Sequence, residues 1–340
     1  MPYSSLSEKI LFQEESTLAP YAARSRNSSR LKPEPTPDFR TSYQLDIDRI
    51  VHTRAFRRLA HKTQVFTTSS GDHLRTRLTH TLEVSQIART LARSLFLNED
   101  LAEACAMGHD LGHGPFGHVG ELVLNSLVPG GFSHQIQSLR VVDTLSAGGK
   151  GLNLTLEVRD GIVKHSKGQG PIFVQAPVGP STLEGMVVRV ADIIAYLAHD
   201  MDDAMEAGIL TLEDIPLDIL QTFGESSESR KDAMMRDLLD SSKINGTTLT
   251  LAFSKAMEED MASLRDFMYH KVYRSQEVNS QMEKGAKVIK TIHRALMEDD
   301  SLYEKLPQRD LADNRAMAVC DFISGMTDRY AVSYAEKIKS

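Results

Sequence analysis

The sequence predicts a mainly α-helical fold, and three observations carry that expectation. Apolar residues recur at helical spacing in two long stretches: Leu78, Leu82, Ile87, Leu91 and Leu95, then Leu183, Val187, Val190, Ile194, Leu197 and Met201. No alternating strand pattern of any length appears. Glycines, prolines and polar residues interrupt the periodic stretches where helices would have to end.

Taken in order, residues 1–40 hold five prolines (Pro2, Pro20, Pro33, Pro35, Pro37) among Ser and Arg, and read as a basic arm. From Asp46 to Leu59, Ile47, Ile50, Val51 and Phe56 recur at helical spacing. A polar, Gly-containing loop over 67–72 precedes the first long amphipathic helix. Asn98 suits the N-cap of the next helix, Leu101 to His109, with Glu99 and Asp100 in its first turn. Gly112 and Gly114 break it, and Pro115 is placed to open another helix that runs to about Leu127. Glycine-rich joints follow at 129–131 and 148–151. Residues 160–180 read as a long loop. After the second amphipathic helix, the chain from Asp214 onward reads as helices joined by polar loops.

The chain has 340 residues, 41% hydrophobic and 25% charged, which suits one large core or a core with an appended lobe. Its apolar runs are too short to cross a bilayer, and the N-terminus lacks a secretory pattern. Cys105 and Cys320 cannot make a disulfide framework and read as small buried hydrophobes, so a cytoplasmic protein is expected. The net charge of −7 hides an asymmetry. Between Arg24 and Lys62 there are ten Lys/Arg against four acids, and Arg75 and Arg77 continue the trend. Either this segment meets an anion, or its cations pair with the acidic remainder.

Residues 109–121, His-Asp-Leu-Gly-His-Gly-Pro-Phe-Gly-His-Val-Gly-Glu, pack three imidazoles and two carboxylates around glycines. A core tolerates few such groups unpartnered, whereas a divalent metal asks for them. His109 and Asp110 sit at a helix end, where both side chains can reach one point. His80 lies on the preceding amphipathic helix. A further ligand has to come from a distant helix, and Asp192 is the best candidate: Asp192, Tyr196 and Asp200 line up at i, i+4 and i+8, opposite the apolar stripe. His113 and His118 add more imidazole than one metal needs. His118 and Glu121 stand at i, i+3, a spacing that lets the carboxylate orient the ring for proton transfer.

These residues resemble a known family. His80, His109-Asp110 and Asp192 match the H…HD…D signature of the HD-domain metal-dependent phosphohydrolases. The resemblance narrows to the deoxynucleoside triphosphate (dNTP) triphosphohydrolases, and among them to the short bacterial deoxyguanosinetriphosphate triphosphohydrolase-like group. It narrows through Arg77, His113, His118, Glu121, Asp192-Tyr196-Asp200, the segment Asp48 to Leu59, and Lys62-Thr63-Gln64-Val65-Phe66.

The resemblance implies an all-α HD-domain bundle over 41–210, with additional helices over 211–340 packed on it. It implies one divalent ion (Mn, Fe, Mg, Co, Ni or Zn) held by His80, His109, Asp110 and Asp192. His118 and Glu121 would be the catalytic dyad near the α-phosphate, with His113, Arg77 and His134 along the phosphate path. Gln64, Val65, Tyr196 and Asp200 match positions that meet the deoxyribose in relatives, and Lys271 lies in a segment resembling a late phosphate contact. A metal-activated water would attack the α-phosphorus of a dNTP, releasing deoxynucleoside and inorganic triphosphate. A homo-oligomer and a second dNTP as activator also follow from the resemblance. Two other readings stay open: an HD phosphohydrolase of another nucleotide, monophosphate or signalling, and a non-catalytic nucleotide sensor or single-strand nucleic-acid binder.

Overall fold

The computed structural model describes residues 5–66, 73–166, 168 and 170–339. The loop expected over 67–72 lies outside the described residues. The chain folds as helices α1 (Leu6–Thr17), α2 (Ser42–Val51), α3 (Arg54–Arg58), α4 (Arg77–Ser94), α5 (Glu99–Gly108), α6 (Gly117–Leu127), α7 (His134–Arg140), α8 (Leu156–Lys164) and α9 (Leu183–Glu206). Then come α10 (Leu217–Phe223), α11 (Ser227–Ser241), a hairpin of β1 (Lys243–Asn245) and β2 (Thr248–Thr250), α12 (Lys255–Met268), α13 (Gln276–Glu298), α14 (Asp300–Tyr303), α15 (Arg315–Ser324) and α16 (Asp328–Lys337). The all-α expectation holds; this antiparallel hairpin is the one sheet among the described residues.

Most helix starts are set by a side-chain cap. Thr76 accepts from the Thr79 N–H to open α4, and Asn98 accepts from the Leu101 N–H to open α5, as its sequence position predicts. Thr182 does the same for α9. In the centre, α4 packs on α5 and α9, and α5 also meets α2 and α8. Val84, Ala88, Leu91, Leu101, Ala104, Val187, Val190 and Ile194 are fully buried there. This apolar cluster continues through Ile219, Met234, Leu264 and Val272 to Val278, so it crosses the boundary expected near residue 210. A second, smaller cluster joins Val119, Val123 and Leu124 of α6 to Ile289, Ile292 and Leu296 of α13, and to Val319 and Ile323 of α15. The helix that bears Glu121 is therefore packed on C-terminal helices.

Three sequence expectations need correction. The first forty residues include α1, and they are fastened to the bundle. Glu14 is buried and accepts from the Ser25 N–H and hydroxyl at 2.9 and 2.6 Å and from Asn98 Nδ2 at 3.2 Å. Arg30 donates to Asp46 and to the Asn153 carbonyl. Such buried polar fastenings leave no apolar periodicity to read. Second, α6 opens at Gly117 and not at Pro115, because Phe116 at its N-cap takes a left-handed conformation (φ 63°) that breaks the helix. Third, α8 runs into the region expected to be loop, its glycine at 161 tucked against Cys105.

Candidate metal centre

Three helices bring the chemistry together. His80 lies in the second turn of α4, His109 and Asp110 follow the last residue of α5, and Asp192 lies on α9. The chain after α5 turns so tightly that a Cβ on Gly112 would lie 2.1 Å from the Ser138 backbone nitrogen on α7. Ser138 clips this turn, donating its hydroxyl to the His109 carbonyl at 2.7 Å and accepting from the Gly112 N–H at 2.9 Å.

Ligand atoms of His80, His109 and Asp110, all buried, lie within 4.8 Å of one another. Asp192 joins through His80, whose Nε2 is 3.1 Å from Asp192 Oδ1. His109 Nδ1 donates to the Ala106 carbonyl at 2.6 Å, which leaves the lone pair on Nε2. That Nε2 is buried and has no hydrogen-bond partner among the described residues. A buried ring nitrogen aimed at two carboxylates and a second imidazole is a donor set that fits a divalent cation, and the carbonyl behind the ring fixes its tautomer as outer-shell partners of metal ligands do. Asp110 Oδ1 stands 3.5 Å from His109 Nε2 and 3.7 Å from His113 Nε2, while Oδ2 accepts from Arg77 at 2.8 Å.

Electrostatics keep both acids ionised. Burial alone would raise Asp110, but His109, Arg77, His113 and His80 outweigh it and hold the carboxyl well below the ordinary range. The same balance holds Asp192 low, with the His80 hydrogen bond as the largest opposing influence. Burial, reinforced by Arg77 and His134, pushes His113 well down, so its ring is neutral.

The hydrogen bonds of Glu121 go to His134, and its link to His118 is electrostatic. Its carboxylate accepts from the His134 N–H at 2.9 Å and lies 2.9 and 3.0 Å from His134 Nδ1, and His118 is exposed. The ring of His134 stacks on His113 with centroids 4.0 Å apart, and its Nε2 is 3.1 Å from His165 Nε2. His165 donates through Nδ1 to the Ile162 carbonyl, and burial, with His109 and His134 nearby, pushes its pKa down to about 3. Its Nε2 is therefore an acceptor, and the bond between the rings needs the proton on His134 Nε2.

The other predicted residues fall as follows. Asp192 and Tyr196 are the partly open positions of α9's polar row, while Asp200 is buried and accepts from the Tyr273 hydroxyl at 2.6 Å. Gln64 and Val65 are half-buried beside the turn before α6. Lys271 is exposed on the turn after α12, in the field of Asp214, and the structure does not bring it to the cluster. Arg189, three residues before Asp192 on α9, holds the segment after α8 by donating to the Ile172 and Pro171 carbonyls.

Sequence reasoning missed His165, His199 and the role of Lys62. His199 Nε2 lies 2.8 Å from His80 Nδ1, and the His199-Asp200 pair, a second His-Asp dipeptide, was its available signal. Lys62 is buried, and its ammonium donates to the carbonyls of His113 and Ser324. Burial, then Arg58 and Arg77, pushes its pKa down to about 7.

Part of the basic segment pairs internally, and part of it lines a cleft. Arg30, Arg40 and Arg49 pair internally with Asp46, Asp48 and Glu34. Arg54, Arg57 and Arg58, with Arg49 and His52, line a cleft of about 940 Å³ behind Leu111 and Gly112. Burial and the charges of Arg54 and Arg57 depress Arg58, a crowding of cations that an anion would relieve.

Comparison with known proteins gives the chain a family. The HD domain family matches residues 77–197, and the phosphohydrolase-associated domain family matches residues 251–337. A deoxyguanosinetriphosphate triphosphohydrolase-like protein of Desulfatibacillum aliphaticivorans is 48% identical, with 97% of each chain covered. One of Caldanaerobacter subterraneus subsp. tengcongensis is 48% identical over 94% of this chain and 91% of its own. One of Clostridium tetani is 39% identical over 96% and 94%. No helix among the described residues is long and apolar enough to cross a membrane. The chain belongs to the deoxyguanosinetriphosphate triphosphohydrolase-like family of HD-domain phosphohydrolases.

Proposed function

We propose that the chain hydrolyses deoxynucleoside triphosphates to deoxynucleoside and inorganic triphosphate. The observation that carries the reading is the buried convergence of His80, His109 and Asp110, with Asp192 and Arg77 against it and the Glu121–His134 pair beside it. His80, His109, Asp110 and Asp192 would hold one divalent ion, Mn, Fe, Mg, Co, Ni or Zn by the chemistry of the donors. When bound, that ion supplies Lewis acidity and lowers the pKa of a water.

The protein's own groups do the rest. Arg77 and His134 neutralise phosphate oxygens, and His113 packs beside them on the phosphate path. Glu121 holds a proton-bearing imidazole where the 5′-oxygen departs, with His118 at the open mouth of the same helix as the donor that the family resemblance assigns. Tyr196 and Asp200 receive the sugar, where a ring packed under the deoxyribose disfavours a bulkier 2′-hydroxyl by shape. Gln64 and Val65 close the other side, and Lys271 is assigned to the outer phosphate by resemblance alone. The basic cleft at Arg54, Arg57 and Arg58 is the place for a second dNTP as activator. Its cations would serve single-stranded nucleic acid equally. A homo-oligomer in the cytoplasm completes the reading.

The test is chromatography of products after incubating metal-reconstituted protein with each dNTP, singly and mixed, beside Asp110→Ala. Deoxynucleoside and triphosphate, absent from the variant, are expected. Turnover only in mixtures would add activation. Monophosphate and pyrophosphate would refute the leaving group, and hydrolysis of monophosphates alone would move the chain to another HD phosphohydrolase reaction.

A further inference from the structure

Asp328 opens α16, far in sequence from the candidate metal ligands, yet it touches both segments that flank the cluster. Its Oδ2 accepts from the Thr63 N–H at 3.1 Å and from the Thr63 hydroxyl. Its Oδ1 accepts from the Phe116 N–H at 3.0 Å. Thr63 immediately precedes Gln64 and Val65, and Phe116 stands at the N-cap of the helix that bears His118 and Glu121.

The corner held this way does not stand unaided. Phe116 and Gly117 both have left-handed backbones, at φ 63° and 58°. A non-glycine residue keeps that conformation only where its surroundings over-determine it. Here they do. The Phe116 ring lies so close to Gly285 of α13 that a Cβ there would come within 2.8 Å of its Cγ. A Cβ on Gly117 would lie 2.7 Å from the Gln64 carbonyl oxygen, which shows how closely the two segments meet. Just behind, Lys62 ties the His113 carbonyl to that of Ser324, at the end of α15. The C-terminal helices thus grip the corner from three directions, and one carboxylate spans the two segments.

We propose that Asp328 is a positioning residue of the active site. Through it, the phosphohydrolase-associated region sets the separation between Gln64–Val65 and the His118–Glu121 helix, and so the fit of a nucleotide between them. The proposal rests on the reading that a nucleotide binds across those residues. The candidate metal ligands stand on α4, in the turn after α5 and on α9, and owe no direct contact to Asp328, so its loss should leave the ion in place.

The experiment compares wild type, Asp328→Asn, Asp328→Ala and Thr63→Val in the full chain. It measures hydrogen exchange, Mn²⁺ affinity, melting temperature and steady-state dGTP hydrolysis. Asp328→Ala is expected to speed exchange at 62–66 and 114–121 at least tenfold and to raise KM fivefold or more, with a smaller change in kcat. Mn²⁺ affinity should stay within twofold. Asp328→Asn keeps one acceptor oxygen and should fall between, and Thr63→Val, which loses only the hydroxyl bond, should show a mild form of the same split. Unchanged exchange and KM would overturn the proposal. So would Mn²⁺ affinity, melting temperature and activity falling together, because that pattern marks a general structural role. If wild type hydrolyses no dNTP, singly or mixed, the substrate reading fails, and the exchange and Mn²⁺ arms still decide whether Asp328 sets the corner.

Discussion

Arg77 donates to Oδ2 of Asp110 at 2.8 Å and leaves Oδ1 to face His109 and His113. The guanidinium both aims the carboxylate and keeps it charged. Arg77→Ala is therefore expected to weaken divalent-metal affinity by roughly 10–100-fold, the usual consequence of removing a group that orients a ligand. Arg77→Lys should recover part of this, lacking the planar fork. His109→Ala should lose the ion altogether. Metal content after dialysis, by elemental analysis, separates the three variants.

Glu121 sets up the second expectation. Glu121→Gln removes the charge that faces His134 and should lower kcat by about 10²–10⁴-fold with metal content intact, the range for a positioned proton donor. His118→Ala is expected to abolish turnover at unchanged metal content. Normal turnover by His118→Ala, with His134→Ala inactive, would transfer the proton-donor role to His134. Single-turnover rates at saturating dNTP measure the chemical step directly.

Asp100 gives a pH dependence remote from the metal. Burial raises its pKa to about 6, against a partial opposing effect of the Gln44 hydrogen bond. The folded state holds this proton more tightly than the unfolded state does. Stability therefore falls as pH rises from about 4, the unfolded value, through 6, and the full penalty applies at pH 7. Asp100→Asn should raise the melting temperature at pH 7–8 and not at pH 4. The gain is at most about 2 kcal/mol, since the substitution also loses an acid in the first turn of α5. Thermal unfolding at the two pH values checks it.

Gly117 and Gly130 form a matched pair. Both have positive φ, but a Cβ at 117 would press on the Gln64 carbonyl, while one at 130 meets nothing within 4 Å. Gly130→Ala should cost only the left-handed strain, roughly 1–2 kcal/mol. Gly117→Ala should cost clearly more and lower activity as well. Denaturant midpoints, with kcat/KM alongside, measure the difference.

The legible part of the site was the part written locally. His109-Asp110 betrayed itself by density, Asp192 by helical register, and His80 only through the family signature. The hydrogen-bond partner of Glu121 was not legible, because i, i+3 spacing named only its electrostatic neighbour His118. In the fold, His134 brings both its backbone N–H and its ring to the same carboxylate and takes it. His165 escaped notice because it caps a helix in a stretch whose glycines and prolines read as loop. Asp328 and Lys62 act across most of the chain by hydrogen bonds to backbone, and such bonds leave no periodic trace. The N-terminal forty residues looked like an arm for the same reason: Glu14 and Arg30 fasten them by polar contacts, not by an apolar stripe.

The span from Lys62 to Ser324 and Asp328 also orders events on the ribosome. All four candidate metal ligands are synthesised before Ser324 and Asp328, the groups that fasten the corner beside them. A growing chain can thus assemble the ligands while the neighbouring corner is still loose. A chain that stops before Ser324 carries the four candidate ligands without that clamp.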